Sequence, residues 1–400
     1  MIRATRTQWV KFAVVLALYL IFLVWLRSWL GLVVVPFIFD AYITKKIPWT
    51  WWRESKNRHV VTVMGWVDAI VFALVAVYFV NLYFFQNYVI PSSSLEKSLL
   101  TGDYLFVSKM SYGPRVPQTP LHMPLAQHTL PFFNCKSYLE HPQWDYKRVK
   151  GLGDVQLNDI VVFNFPAGDT VATGVPNDDI YRLSYGAGKE LAKPVDLASM
   201  TPEQQRVVYD YYYQLGREYL KENPQNFGEI ISRPVDRREN YVKRCVGLPG
   251  QTLEIKDRII YLDGKANKEP DNVQYRYLVK TKRPIPDDLA HELGISKEDM
   301  MMYYTDASVY NMPLTEKAKA GLLARKDIVV SIENTPADDA GGLYPLNMYK
   351  NWTTDNYGPV WIPKKGETVK LTIENLPVYE RPIHVYEGNE LAVKDGKDLY

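Results

Sequence analysis

Two long apolar stretches open the chain, and a shorter, alternating pattern of apolar and polar positions comes after them. The first stretch covers residues 12–39 and is interrupted by Arg27; the second covers residues 60–85 and carries one acid, Asp68. A helix rises about 1.5 Å per residue, and crossing a bilayer takes roughly 20 apolar residues. Both stretches therefore predict transmembrane helices. Neither shows the polar stripe of a helix packed on a soluble core. The first is too long for a cleaved secretory signal and precedes no clear small-residue cleavage site. The loop between them holds Lys45, Lys46, Arg53, Lys56 and Arg58. Basic loops stay in the cytoplasm. The N-terminal tail is basic too, with Arg3, Arg6 and Lys11, but the loop carries more charge. The expected topology therefore has both ends outside and the loop inside. Trp49, Trp51 and Trp52 are expected at the inner interface, with Asp68 snorkelling toward it.

Beyond residue 88 the pattern changes to short strands. Residues 103–109 and 159–165 alternate and are rich in β-formers, the latter ending at Pro166. Residues 241–246 run into the turn Gly247-Leu-Pro-Gly250. Residues 252–255 and 259–262 read as a hairpin, closed by Asp263-Gly264. Further strands are expected at 360–363, 369–373 and 390–393. Two regions interrupt the series. Residues 167–239 are polar and partly helical, with a helix start at Thr201-Pro202-Glu203-Gln204. Residues 267–350 are mixed, with helical runs at 296–299 and 315–325. The expected architecture is a mainly β catalytic domain, of barrel or sandwich type, with α-helical insertions, behind two transmembrane helices. Its parts are an anchor (1–87), core segments at 88–166, 240–266 and 351–400, and insertions at 167–239 and 267–350.

Composition narrows the chemistry. The formal net charge of the 400 residues is +2, so nucleic acid is not an expected partner. Aromatic residues make up 13%, including 29 Tyr, which favours surfaces where apolar groups meet water. Cys135 and Cys245 are the two cysteines, too few for a disulfide framework or a zinc site, and they read as unrelated thiols. His291-Glu292 lacks the second His of a zinc-protease helix. No phosphate loop, cofactor motif or metal cluster is evident, so no cofactor is expected.

The most informative residues lie just after the second apolar stretch: Ile90-Pro-Ser-Ser-Ser-Leu95. A serine cluster alone is usually a linker or cap. Downstream, Lys243 sits in a strand between Val242 and Arg244. Strand alternation puts Lys243 on the opposite face from both, inward if Arg244 meets solvent. A serine hydroxyl needs a base to become a useful nucleophile, and a desolvated, neutral lysine amine can serve. Ser–Lys is a known variant of the nucleophile–base pair.

At these residues the chain resembles bacterial signal peptidase I. Ile90-Pro-Ser-Ser-Ser-Leu95 is similar to that family's I-P-S-G-S-M box. Gly102-Asp-Tyr-Leu-Phe-Val-Ser-Lys109 with Tyr112-Gly113 resembles the next. Asn158-Asp-Ile-Val-Val-Phe163 resembles G-D-I-V-V-F. Tyr241-Val-Lys-Arg-Cys-Val-Gly-Leu-Pro-Gly250 matches Y-I-K-R-x-V-G-L-P-G nearly throughout. The two insertions resemble the long Bacteroidota-type form. The resemblance implies Ser94 as nucleophile, Lys243 as general base, and an oxyanion hole from the Ser94 N–H and the Ser92 hydroxyl. It implies pockets lined by Tyr88, Ile90, Leu95, Leu99, Leu105, Val162, Tyr241 and Val242, selecting small residues at positions −1 and −3. The implied partners are signal peptides of exported preproteins, the lipid bilayer and the export machinery. The implied location is the inner membrane, with the catalytic domain in the periplasm.

The departures are specific. Ser93 and Asn158 replace glycines, Leu95 replaces Met, and Glu96-Lys97-Ser98 replaces x-P-T. The box G-D-N-R-x-x-S-x-D-S-R does not occur before Tyr400, and a truncated sequence is the simplest account. A non-catalytic membrane-tethered binding protein with an incomplete site is the alternative reading. Self-cleaving repressors share a Ser–Lys pair but lack a two-span anchor. Lys243 argues against the eukaryotic-type enzymes, which use His there.

Overall fold

The structure is a computed structural model describing residues 4–95, 97–130, 132–133, 135–166, 170–302, 304–306, 308–337, 343–346, 352–394 and 398–399. Glu96, one of the departures from the family pattern, lies outside them. Contacts divide the chain into two units, one of Met1–Val89, Tyr104–Val155 and Pro234–Arg238, the other of Ile90–Asp103, Gln156–Arg233 and Glu239–Tyr400.

In the first unit, helix α1 spans Arg6–Leu26 and α2 spans Arg58–Tyr83, both long and apolar enough to cross a membrane. Thr5 caps α1 with a capping box to Gln8, and Asn57 caps α2 by accepting the His59 N–H. No residue of α2 is buried in the protein. The expected single span over 12–39 does not form. Arg27 takes a left-handed conformation with φ 51°, and its N–H and that of Ser28 close on the Leu23 and Val24 carbonyls. A shorter apolar helical segment, Leu30–Thr44, then returns along α1. The Tyr19 hydroxyl donates to Gly31 O at 2.7 Å, and the Phe12 and Phe39 rings lie 5.4 Å apart. The return ends at Asp40, whose buried carboxylate accepts from the N–H groups of Lys46 and Ile47, the Trp49 indole and the Thr44 hydroxyl.

The return has a topological consequence. Phe22 meets Phe79 at 5.1 Å and Tyr83 at 5.3 Å, so the C-terminal ends of α1 and α2 pack together. The two long helices are parallel. The N-terminal tail and the basic loop therefore share one end of the anchor, which corrects the expected placement of the N-terminus opposite the loop. Asp68 pairs with Arg53 of that loop at 3.6 Å, both partly solvated.

Strand β1 (Phe85–Val89) continues from α2 and pairs antiparallel with β2 (Tyr104–Ser108), Tyr88 opposite Leu105. The chain after β2 is held by a close backbone crossing. A Cβ at Gly113, whose φ is +84°, would lie 1.8 Å from Val149 O. Segment 147–150 meets the end of α1: Lys147 Nζ donates to Arg27 O at 2.8 Å and Trp25 Nε1 to Lys150 O at 3.2 Å.

In the second unit, β3 (Ile160–Asn164) pairs antiparallel with β4 (Asn240–Arg244), with the first insertion between them in sequence. That insertion is a helical hairpin of α3 (Ile180–Leu191) and α4 (Pro202–Glu222). Thr201 caps α4 with the expected capping box to Gln204. Strand β5 (Thr252–Lys256) pairs with β6 (Ile259–Leu262), as the alternation predicts. The turn between them is Asp257-Arg258, with φ of 47° and 74°; Asp263-Gly264 instead joins β6 to Lys265–Ala266. The second insertion is a sheet in which β7 (Gln274–Thr281) lies between β8 (Val309–Thr315) and β9 (Val329–Asn334), covered by α5 (Glu316–Ala324). Val279, Met312, Leu322 and Ile328 are fully buried there, each contributing about 1.5–3 kcal/mol. Strand β10 (Tyr357–Trp361) returns to the free edge of β5.

The expected strand at 369–373 is absent. Asn375 turns the chain into helix α6 (Leu376–Arg381), whose Glu380 and Arg381 pair with Arg206 and Asp179 of the first insertion. Near 390–393 only Val393–Lys394 is extended into a strand. The fold is mainly β outside the helices, in separate small sheets, and no barrel closes among the described residues.

Candidate active site

The serine segment is a short 3₁₀ turn, Ser93–Leu95, held by backbone bonds around it. Ile90 N–H donates to Asp103 O at 2.9 Å and Gly102 N–H to Ile90 O at 2.9 Å. The Asp103 carboxylate accepts the Leu100 N–H at 2.7 Å. These bonds close the loop 90–103 on itself and leave Ser94 exposed at its bend.

Lys243 reaches that bend from β4. Its Nζ donates to Ser94 Oγ at 2.6 Å, across 149 positions of sequence. Desolvation holds the Lys243 amine below the usual lysine range. Lys243 is nonetheless exposed, whereas its neighbours Val242 and Arg244 are half-buried. The inward-facing lysine expected from alternation is therefore an exposed one. The inference failed because Arg244 is not the solvated residue. Its guanidinium donates to Asn158 O at 2.9 Å and to Ser98 Oγ at 2.8 Å, tying the serine loop to the end of the ladder. Asn158 has φ 69°, a left-handed conformation in which glycine is the easiest residue and Asn the next.

The residues expected to line pockets are distributed unevenly. In the β3–β4 register Lys243 faces Val161 and Tyr241 faces Phe163, while Val162 faces Val242. Opposite residues of an antiparallel pair share a face, and successive residues alternate. Tyr241, Val161 and Phe163 thus share the face of Lys243, and Val162 and Val242 lie on the reverse. Of these three, Tyr241 is among the residues expected to line pockets; Val161 and Phe163 are not, although the period of two puts them on the same face. Tyr241 stacks on Phe165 at 4.5 Å and donates to Asn177 O at 3.4 Å, so the first insertion touches the strand that carries the lysine. Ile90 is buried, 3% exposed, and serves as core under the loop; Leu95 and Leu99 are half-buried in it. Tyr88 and Leu105 face each other on the β1–β2 ladder of the first unit, and burial pushes the Tyr88 phenol up to about 12. Ser92 Oγ lies 3.5 Å from Ser94 Oγ, close enough to donate to an atom bonded there.

The Ser94 hydroxyl is thus in contact with a partly desolvated amine. The sequence profile described as Signal peptidase, peptidase S26 matches residues 63–292. The chain belongs to this signal peptidase family. The matched span contains both Ser94 and Lys243, and runs from the second apolar helix into the second insertion. Signal peptidase I P of Bacillus subtilis subsp. natto is 20% identical over 279 residues, which cover 69% of this chain and 90% of that protein. Signal peptidase I of Helicobacter pylori is 42% identical over 56 residues, 14% of this chain and 18% of that protein. Signal peptidase I of Rickettsia prowazekii is 24% identical over 165 residues, 38% of this chain and 56% of that protein. No solved structure matches. The two cysteines are free thiols.

Proposed function

We propose that this chain is a membrane-anchored serine endopeptidase that removes signal peptides from exported preproteins, with Ser94 as nucleophile and Lys243 as general base. The 2.6 Å contact between Lys243 Nζ and Ser94 Oγ carries the reading. The neutral amine takes the hydroxyl proton as Ser94 Oγ attacks the scissile carbonyl. The Ser94 N–H and the Ser92 hydroxyl donate to the oxyanion of the tetrahedral intermediate. The protonated lysine then gives its proton to the leaving amine, and water hydrolyses the acyl-enzyme by the same steps in reverse. Tyr241, Val161 and Phe163 supply apolar surface on the lysine's face, and shallow pockets there favour small residues at positions −1 and −3.

The anchor supports a cytoplasmic-membrane location with the catalytic part in the periplasm. Arg6 and Lys11 of the tail region and Lys45, Lys46, Arg53, Lys56 and Arg58 of the loop collect at one end of the parallel helices. Positive charge at that end marks it as cytoplasmic. The chain then leaves α2 on the opposite side, where a translocating preprotein presents its cleavage region and the export machinery is the neighbour.

The test is cleavage of a preprotein by the full chain in membranes. Ser94→Ala and Lys243→Met each abolish product on this reading, without loss of the chain from the membrane. Cleavage retained by both variants refutes the Ser94–Lys243 pair, and no cleavage by the unaltered chain above that of membranes lacking it leaves a binding role.

A further inference from the structure

Tyr241 and Lys243 stand two residues apart on one face of β4. Two residues of extended chain span about 7 Å, and a substrate strand lying along that face repeats at the same interval. With its −1 side chain beside Lys243 and Ser94, its −3 side chain comes to the Tyr241 ring. Whatever fixes that ring bears on which substrates fit.

The ring is gripped from two directions. Phe165 stacks on it, with centroids 4.5 Å apart and planes 24° apart. The Tyr241 hydroxyl donates to Asn177 O at 3.4 Å. Phe165 follows the end of β3, and Asn177 lies in the turn before α3. Neither belongs to a helix or strand, so each depends on support from elsewhere.

Both supports come from α6 and the helical turn Pro382–Tyr386 that continues it. Arg381 donates to Asp179 Oδ2 at 2.6 Å and lies over the Tyr181 ring at 4.1 Å. The other Asp179 oxygen accepts the Tyr181 N–H at 2.8 Å, which caps α3 two residues beyond Asn177. The Tyr386 hydroxyl donates to Pro166 O at 2.7 Å, one residue beyond Phe165. The support is itself stiff. Glu380 takes two bonds from Arg206 of α4, at 2.9 and 2.5 Å, and the Tyr379 hydroxyl donates to Trp361 O of β10 at 2.9 Å. Paired charged bonds of this kind fix geometry as well as distance. Helices α3 and α4 cross so closely that a Cβ at Gly188 would lie 1.7 Å from Tyr212 O, so the hairpin moves as one piece.

We propose that α6 and the first insertion form a clamp that fixes the Tyr241 ring and thereby limits the room for the signal-peptide side chain at position −3. Asp179, Arg381 and Tyr386 are positioning residues. They touch no substrate and act through Asn177 and Phe165. The inference rests on the proposed function of Ser94 and Lys243.

The test uses the full chain in membranes and a preprotein with Ala at −1 and −3, compared with versions carrying Phe at either position. Tyr386 is exposed, and Tyr386→Phe removes one hydroxyl. Asp179→Asn removes the charge and keeps a capping oxygen. Together they open the clamp from both sides. The ratio of kcat/KM for Phe over Ala at −3 should rise about ten-fold or more, and the same ratio at −1 should stay within about two-fold. Arg381→Met should relax position −3 more than Arg381→Lys, which keeps the charge. If the double variant does not fold, Tyr386→Phe alone decides, with a rise of about three-fold at −3 expected. An unchanged −3 ratio overturns the proposal, because α6 then only holds the chain together. Equal relaxation at −1 and −3 overturns it too, because the whole site has then loosened. Cleavage retained by Ser94→Ala refutes the underlying reading instead, whatever the −3 ratio.

Discussion

Lys243 and Lys109 accompany short antiparallel ladders in different units, and both amines are held below the usual range mainly by desolvation. Lys109 comes directly after β2, is largely buried, and is brought down to about 8, with Arg115 and Arg148 adding like charge. Lys243 is the more exposed of the two, yet it is the one whose Nζ touches a serine hydroxyl. On the proposed reading, contact with a serine hydroxyl, and not the depth of the pKa shift, marks the base. A search for the most perturbed lysine alone would choose Lys109 and pass over the Ser94 contact.

The sharpest way to break this comparison is to exchange the two roles. Lys243→Met should lower kcat/KM for a preprotein by a factor of about 10³ or more, as loss of a nucleophile's base does. Lys109→Met should leave kcat/KM within about two-fold. A comparable loss from both would place Lys109 in the chemistry.

A smaller effect is expected where the serine loop is tied down. Arg244→Lys cannot reproduce the two-point bond to Ser98 Oγ and Asn158 O, because its ammonium is a single point. We expect kcat to fall about ten-fold with little change in KM, since a misplaced nucleophile costs rate rather than binding. Ser98→Ala should reproduce part of that loss. A change confined to KM would contradict a positioning role.

The two faces of the β3–β4 ladder separate binding from packing. Val161→Ala, on the lysine's face, should raise KM several-fold with kcat preserved. Val242→Ala, on the reverse face, should leave KM unchanged and cost about 1–2 kcal/mol of stability, read by denaturant unfolding.

The smallest expected effect is on stability versus pH. Lys109 has a folded pKa of about 8, below the roughly 10.4 of a free lysine, so between those values the folded state holds fewer protons than the unfolded one. Stability should rise with pH through that window, and the penalty is fully present below pH about 8. Lys109→Met should flatten the rise and raise the melting temperature at pH 7.

How much of this was legible in the sequence depends on the range of the interaction. Strands β2 to β6 were readable, because alternation and turn residues are local signals. So was the α4 start at Thr201, whose cap is made within three residues. Ser94 and Lys243 were readable through motif resemblance, which carries across 149 positions a pairing that periodicity cannot. The first span was misread because Arg27 looked like an interruption. It is a helix terminus, and the segment after it folds back on Tyr19 and Phe12 through contacts that no window of sequence contains. The orientation of Lys243 was misread because Arg244 was assumed to be solvated. Its partners, Asn158 and Ser98, come from two other segments. The expected strand at 369–373 had the right composition, but an Asn-Leu-Pro helix start comes next, and α6 pairs with the first insertion instead.

The central claim is an uncharged Lys243 amine acting on Ser94, and the pH dependence of kcat/KM for the full chain in membranes tests it most directly. The account predicts an acidic limb with a slope of one and a midpoint below that of an ordinary lysine, unchanged in Lys109→Met. A midpoint at the ordinary lysine value, or a limb that moves with Lys109 instead, contradicts it.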